Sequence, residues 1–247
     1  MDSFGVYCLH LYTNYTVETF YTFFVSVLDF VHTFAAMEEK LEKIIADATA
    51  LFMKYGVKSV NMDDVARHLG MSKKTLYKYV SDKEDLVRRA MNHHCEVEDK
   101  AIQAIHAQDL NAIDEAFEVM RMVINMIKDL NPSVAYDITK YHPELMREME
   151  CNRHGMVFQT MKSNMEKGIK EGFYREDLDT DIIANLYVSS INAIFTQFIT
   201  QEGAHPFHVI YLEMFRYHIR GIASEKGIKY LIEKVKIEKY ANTNQIK

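Results

Sequence analysis

Apolar residues recur at intervals of three and four positions along most of the chain from Glu38 onward. This period is typical of α-helices with one buried face, and the first such stretch ends at Gly56. The same period returns over residues 113–130, 143–172, 183–198 and 207–223. Because only nine glycines and three prolines are present to make turns, the pattern predicts an all-α protein. The apolar positions of the first stretch are Leu41, Ile44, Ile45, Ala48, Leu51, Phe52 and Tyr55.

Two short helices and the start of a third are predicted within residues 60–86. Asn61 is a suitable N-cap for the first helix, whose initial turn carries acidic residues that favour the positive helix end. Gly70 is expected to end that helix, since glycine adopts the backbone conformations that follow a helix. The second helix is predicted from Ser72 to Val80.

A capping-box pattern, Ser81 with Glu84 three residues later, predicts that the third helix begins at Ser81. Apolar positions continue to about Ile105, so this helix is long enough to connect the short helices with the rest of the chain. A continuous rigid helix can convert a change at one end into a displacement at the other. We therefore expect the helix over 81–105 to join two domains.

A short helix, a turn through glycine and a second short helix form the helix-turn-helix plan. Residues 71–80 contain three lysines and no acidic residue. A short helix with such an outer face suits the major groove of DNA, which is lined by phosphates. The alternative interpretation is a solvated amphipathic helix pair within an ordinary helical bundle.

The same stretch closely resembles the DNA-binding domain of the TetR family of bacterial transcriptional regulators. That family carries a D-x-A segment, then L-G-x-S-x-x-T-L-Y-x-x-F, then S-K-E-x-L. Val80 stands where the family commonly has Phe, and Asn61 stands near a usual Thr; Val keeps the position apolar and Asn keeps a side-chain cap. The residues that carry the resemblance are Asp64-Val65-Ala66, Leu69-Gly70-Met71-Ser72, Thr75-Leu76-Tyr77 and Ser81-Asp82-Lys83-Glu84-Asp85-Leu86.

The resemblance implies a DNA-binding transcriptional regulator, usually a repressor, that acts as a homodimer on a palindromic double-stranded DNA operator. It also implies a second, larger helical domain that binds a small-molecule effector and thereby releases the operator. Control of this second domain by a protein partner is the alternative. The residues that the resemblance places at DNA are Ser72, Lys73, Lys74, Thr75, Tyr77, Lys78, Tyr79 and Lys83.

The pattern and the resemblance together divide the chain into four parts. Residues 37–83 are expected to form the N-terminal three-helix helix-turn-helix domain, and residues 84–227 the larger effector-binding and dimerisation domain. Residues 228–247 are predicted to form a charged C-terminal tail helix. Residues 1–36 precede the part that resembles the family.

Residues 1–36 contain no Lys or Arg, yet ten of them are Phe or Tyr. A secretory signal would need a positively charged start. A membrane span would need a longer uninterrupted apolar run than residues 20–34 provide, so neither is predicted. We interpret residues 1–36 as an upstream extension outside the functional fold, with an additional amphipathic helix packed on the body as the alternative.

Methionines are frequent in the second domain. Flexible thioethers line pockets that accept apolar ligands of varied shape, so the inner face of residues 113–130 and 143–172 is a candidate effector site. A methionine-rich core is the alternative. The candidate effector residues are Met120, Tyr136, Tyr141, His142, Met149, Met161 and Asn192.

The last two large helices, over residues 183–200 and 207–223, are apolar on more than one face. If two copies of the chain pair these helices about a two-fold axis, the four helices form the dimer interface and hold the two DNA-binding domains at a fixed separation. The candidate dimer residues are Ile191, Phe195, Phe198, Tyr211, Phe215 and Ile219.

Composition limits the remaining function classes. A formal charge of -6 requires that any DNA contact be local, through one basic face. The three scattered cysteines favour a reducing cytoplasm over a disulfide framework. Phosphate-binding glycine loops, H-E-x-x-H and nucleophile turns are missing from the sequence, so we predict no enzyme and no cofactor. The neighbours His93, His94 and Cys95, and the pair Cys151 and His154, supply too few ligands to predict a metal site.

Overall fold

The structure, a computed structural model, describes residues 17–128, 131–200 and 205–244. Helices make up most of these ranges, and an isolated bridge joins Tyr174 to Ala223. The predicted all-α class is therefore confirmed for the described part of the chain. None of the described helices is long and apolar enough to cross a membrane. The helices are α1 (Val17–Tyr55), α2 (Met62–His68), α3 (Lys73–Leu76), α4 (Lys83–His106), α5 (Ala112–Lys128), α6 (Pro132–Tyr141), α7 (Pro143–Lys170), α8 (Thr180–Thr200), α9 (Phe207–Ile222) and α10 (Glu225–Asn244).

Two compact units divide the chain between Asp47 and Ala48, and α1 runs through this boundary. The helix begins at Val17, well before Glu38, where the apolar period predicts its start. The physical reason is that neither glycine nor proline occurs in α1, so its backbone hydrogen bonds continue without a break. The placement of residues 1–36 outside the functional fold stays a prediction, and residues 1–16 lie outside the described residues.

The start of α4 differs by two residues from the prediction. Asp82 is the N-cap, because its Oδ1 accepts a hydrogen bond from Asp85 N at 2.8 Å. Ser81 N instead donates to Asp85 Oδ2 at 3.0 Å. The predicted capping box of Ser81 with Glu84 is therefore wrong, since a carboxylate one residue later takes the cap. The rest of α4 is continuous, as predicted.

The helices from α4 to α10 form the body of the protein. Its core consists of the apolar faces of α5, α7, α8 and α9. Aromatic rings fill its centre: Phe117 meets Phe215 edge to face with ring centroids 5.1 Å apart, and Phe207 stacks on Tyr211 at 5.6 Å. Such pairs add to the free energy gained by burying apolar area. The aromatic residues therefore lie at the centre of the packed helices.

A buried polar network ties α7 to α5. Tyr174 OH donates to Asn164 Oδ1 at 2.9 Å, and Asn164 Nδ2 donates to Glu115 Oε1 at 2.9 Å. Lys167 Nζ pairs with Glu115 Oε2 at 2.7 Å. Gly168 makes room for the Tyr174 ring, since a Cβ at this position would lie 2.1 Å from it. Each polar group of the network has a partner, as buried polar groups require, so we regard it as structural.

Candidate nucleic-acid interface and body cavity

A complete N-terminal cap holds α2. Asn61 Oδ1 accepts hydrogen bonds from Asp63 N at 2.9 Å and from Asp64 N at 3.0 Å. In return, Asn61 N donates to Asp64 Oδ2 at 3.1 Å, which completes a capping box. These bonds satisfy backbone donors that a helix start leaves free. The prediction that Asn61 caps this helix is confirmed.

The turn between α2 and α3 passes through Gly70. Its φ of +64° lies in the left-handed region, which costs an L side chain energy but costs glycine little. Gly70 N donates to Arg67 O at 3.2 Å, and Met71 N donates to Ala66 O at 3.0 Å. These bonds close the end of α2 and direct the chain into α3, as the predicted break at glycine requires.

The second helix of the motif is short and capped by Ser72, whose Oγ accepts from Thr75 N at 3.1 Å. Regular helix extends only to Leu76, which is fully buried. Beyond it, Tyr79 N donates to Leu76 O at 2.9 Å in a tighter three-residue bond. The predicted helix from Ser72 to Val80 is therefore corrected: its second half is a narrower turn, because three-residue bonds often tighten a helix end.

The outward side of residues 71–80 carries exposed basic and aromatic groups. Lys73, Lys74, Tyr77 and Lys78 are exposed. Lys73 Nζ pairs with Asp63 Oδ2 at 2.9 Å, and this hydrogen bond raises the pKa of Lys73. A DNA phosphate would compete with the Asp63 carboxylate for the same ammonium group. Among the other predicted DNA residues, Thr75 and Tyr79 are half-buried and Ser72 is exposed at the cap.

Lys83, the first residue of α4, is half-buried. Its Nζ lies 3.5 Å from the Lys58 carbonyl oxygen. Burial lowers the pKa of Lys83, while the carboxylates of Asp137 and Asp64 act in the opposite direction. The ammonium group of Lys83 therefore lies against the loop after α1 and has less freedom than the exposed lysines of α3.

α6 lies against the loop that follows α1. Lys58 N donates to the buried Asp137 Oδ2 at 2.7 Å, and Lys58 Nζ donates to Tyr141 OH at 2.9 Å. Gly56, with φ of +87°, permits the close approach, since a Cβ there would lie 2.5 Å from Ser133 Oγ. The sequence predicted that the helix over 81–105 connects residues 37–83 with residues 84–227, and it did not predict this second contact between these two parts of the chain. Its partners are distant in sequence, and Gly56 alone gave no indication of them.

A cavity of about 200 Å³ lies among α4, α5, α6, α7, α8 and α9. Its lining is apolar for the most part. Thioethers adapt to ligands of varied shape, so these walls can admit more than one apolar molecule. The methionines of the lining come from α1, α4, α5 and α7 and are Met53, Met91, Met126, Met146, Met149, Met156 and Met161.

Two of the predicted effector residues, Met149 and Met161, line this cavity. The other five do not belong to its lining, because helix packing directs them into the core or to the surface. They are Met120 in the core, Tyr136, Tyr141 and Asn192 on exposed surfaces, and His142 at the N-cap of α7.

Sequence reasoning missed the polar residues of the cavity, Glu98 and Arg153 above all. Burial lowers the pKa of Arg153 and raises that of Glu98, and each charge partly offsets the effect on the other. Burial also raises the pKa of the Cys95 thiol to about 11, so this cysteine stays protonated. A signal was present for Arg153, which follows Met149 by four positions and precedes Met156 by three, the spacing of one helix face.

The predicted dimer residues are mostly covered within one chain. Tyr211, Phe215 and Ile219 are buried in the core, so their apolar character is used inside the chain. This corrects the argument that they exceed what one chain needs. Ile191, Phe195 and Phe198 are half-buried against the same core. The large apolar side chains that α8 and α9 expose are others, namely Ile182, Leu186, Val209 and Tyr217.

A capped three-helix motif with a basic outer face, followed by a helical body that encloses a cavity, defines a helix-turn-helix DNA-binding protein. The model of the tetR family of bacterial regulatory proteins matches residues 44–90, the part of the chain that contains this motif. The helix-turn-helix part of the chain thus matches the TetR family of bacterial transcriptional regulators.

A relative of known sequence and two solved structures are similar to this chain. An uncharacterized HTH-type transcriptional regulator of Bacillus subtilis (strain 168), YvaF, is 23% identical over 159 residues, which cover 62% of this chain and 80% of that protein. A transcriptional regulator of Cytophaga hutchinsonii has a similar structure, with a TM-score of 0.64 and 18% identity over 75% of this chain and 99% of that one. A putative regulator of Saccharomonospora viridis in complex with choline has a TM-score of 0.56 and 18% identity, over 76% and 100% of the two chains.

Proposed function

We propose that the protein is a homodimeric repressor that binds a palindromic operator in the cytoplasm and leaves it when a small-molecule effector fills the body cavity. The observation that carries this proposal is the mainly apolar cavity, whose walls include both α4 and α6. Because α4 begins next to the helix-turn-helix motif and α6 contacts the loop after α1, a ligand in the cavity touches both connections to the DNA-binding part.

In this proposal α3 enters the major groove of the operator. Its short length, buried Leu76 and acid-free outer side support that placement. Contacts to base edges or flanking phosphates come from Lys73, Lys74, Thr75 and Lys78, and contacts to the DNA backbone come from Tyr77, Tyr79 and Lys83. Ser72 lies beside them at the N-cap of α3.

The dimer is proposed to form through α8 and α9, with contacts that differ from those expected from sequence. Ile182 and Leu186 are 57% and 59% exposed and lie one helical turn apart on α8. Tyr217 on α9 is 84% exposed. Large apolar side chains left in solvent on adjacent helices are typical of a protein interface. A two-fold axis through this surface would hold two reading heads for the two halves of a palindrome.

An effector can release DNA only if it binds with different affinities to two states of the dimer that differ in the distance between the DNA-binding domains. A coupling free energy of about 1–3 kcal/mol would lower operator affinity by about 5- to 150-fold. The choline-bound regulator of the same fold supports control by a small molecule, in preference to control by a protein partner.

The test begins with a genome-wide footprint of the protein on its host DNA, which identifies the operator. Calorimetry then measures the affinity of an effector with and without saturating operator DNA. Linkage requires that operator weaken effector binding by the same factor by which effector weakens operator binding. Equal effector affinity under both conditions would overturn control by a ligand in this cavity.

A further inference from the structure

The charged side chains of the cavity lie on two of its helices, which also carry apolar lining residues. α5 and α6 contribute only apolar side chains to the lining, whereas α4 and α7 contribute charged ones, among them Glu98 and Arg153. A ligand that satisfies such walls has an apolar body and one polar head directed towards α4 and α7.

Arg153 has an unused hydrogen-bond donor. Its guanidinium carbon lies 4.1 Å from the centroid of the Phe195 ring, and both residues line the cavity. Its Nε is buried and has no hydrogen-bond partner among the described residues. An arginine cannot lose its proton to avoid this, and a buried donor without an acceptor is unfavourable. Because this Nε is itself closed to solvent, a ligand reaches the cation through the part of the guanidinium group that lines the cavity, where an oxygen acceptor suits its N–H groups.

Charge decides which kind of acceptor fits. Glu98 is close enough to Arg153 for each charge to favour the charged form of the other. No direct ion pair between the two occurs in the part of the chain that the structure describes. A carboxylate head would approach Glu98 and Asp99 of α4 and Glu150 of α7, while a cationic head would approach Arg153. A neutral head avoids both repulsions, and it can accept from Arg153 and donate to Glu98.

The volume sets the size of the apolar body. A cavity of about 150 Å³ admits benzene, so the cavity of about 200 Å³ here suits a molecule of roughly ten non-hydrogen atoms. Building on the proposed effector role of this cavity, we propose that the effector is a small, neutral, mainly apolar molecule. Its single polar head carries both an acceptor for Arg153 and a donor for Glu98, as a primary amide does.

Titration calorimetry of the protein without DNA tests this proposal with three probes that share one alkyl chain: octanamide, octanoate and octylammonium. We expect octanamide to bind about tenfold or more tightly than either charged probe, because only its head matches both side chains. Octanoate or octylammonium binding as tightly as octanamide would overturn the proposal. So would the failure of octanamide to bind measurably.

Two variants test the roles of the named residues. Arg153→Met keeps an extended apolar side chain but loses the donor, so octanamide should bind about tenfold or more weakly. Arg147→Met is the matched control, since Arg147 is exposed on the same helix and pairs with Glu144 at 3.0 Å outside the cavity lining. Octanamide affinity that is unchanged in Arg153→Met, or reduced equally in the control, would overturn the proposed contact.

Glu98→Gln serves as a second variant that does not depend on the folding of Arg153→Met. Removing the negative charge of Glu98 removes one of the carboxylates that repel a carboxylate head, so octanoate should gain affinity relative to octanamide. An unchanged order of the two probes would overturn the role of Glu98.

Octanamide that binds as expected but leaves operator affinity unchanged would support this ligand class and overturn effector-controlled release. Operator release by all three probes alike would overturn the ligand class alone.

Discussion

Lys83 lies at the start of α4, beside the helix-turn-helix motif, and is half-buried against Lys58. We expect Lys83→Ala to weaken binding to all DNA sequences alike and to reduce the salt dependence of binding by about one unit. The reason is that a lysine contact to phosphate is a charge contact without sequence information. Fluorescence anisotropy with operator and unrelated DNA at several salt concentrations measures both quantities.

Lys100→Ala is the control for this experiment, since Lys100 is exposed farther along the same helix. The control should bind DNA as the parent protein does. Unchanged affinity and salt slope in Lys83→Ala would remove Lys83 from the residues proposed to contact DNA.

His218 predicts how stability depends on pH. Its ring packs on Tyr187 with centroids 4.6 Å apart, and burial lowers the pKa of His218 from 6.5 to about 4. Between these pH values the unfolded chain binds a proton that the folded chain does not, so stability present above pH 6.5 is lost as the pH falls. We expect His218 to lower the free energy of unfolding by on the order of 3 kcal/mol when the pH falls from 6.5 to about 4. Urea unfolding at several pH values in this range measures the change.

His218→Phe should remove this part of the pH dependence, because phenylalanine fills a similar space without a titrating nitrogen. His208→Phe is the control, since His208 is exposed on the same helix. Parallel stability curves for His218→Phe and the parent protein would contradict the assignment.

At the scale of elements, the contact between α6 and the loop after α1 depends on Asp137. This side chain is buried and accepts from Lys58 N, whereas the Tyr141 contact with the same lysine is exposed. We expect Asp137→Ala to lower the free energy of unfolding by about 1–3 kcal/mol, because a part-buried backbone donor loses its acceptor. Tyr141→Phe should cost less than about 0.5 kcal/mol, since surface changes are usually small.

Chemical denaturation of both variants measures the difference. Equal losses in Asp137→Ala and Tyr141→Phe would show that α6 is not anchored through the buried carboxylate. In that case α4 would remain the element through which the cavity is proposed to act on the DNA-binding part.

At the scale of the whole molecule, the proposed dimer predicts a change of mass. We expect the parent protein to be a dimer at micromolar concentration and the double variant Leu186→Glu, Tyr217→Glu to be a monomer, because two charges would be buried at the interface. Size-exclusion chromatography with light scattering measures this. Val97→Glu, at an exposed apolar position on α4, is the control and should remain dimeric. A monomeric parent protein would defeat the proposal.

The sequence alone determined the features that depend on neighbours a few positions apart. The helical period, the Asn61 cap, the break at Gly70 and the start of α7 at Pro143 were all predicted and agree with the structure. Such signals are local, because caps and helix faces involve residues within about four positions of one another. Helix ends were less well predicted where two caps compete, as Ser81 and Asp82 do.

Only the tertiary structure decided which side chains share a site. Glu98 and Arg153 come from helices far apart in sequence, and packing alone brings them to one cavity. The same holds for Asp137 and Lys58, which join α6 to the loop after α1. The physical reason is that the apolar period identifies which face of a helix is buried. It does not identify the helix that packs against this face, because the hydrophobic effect has no preferred direction.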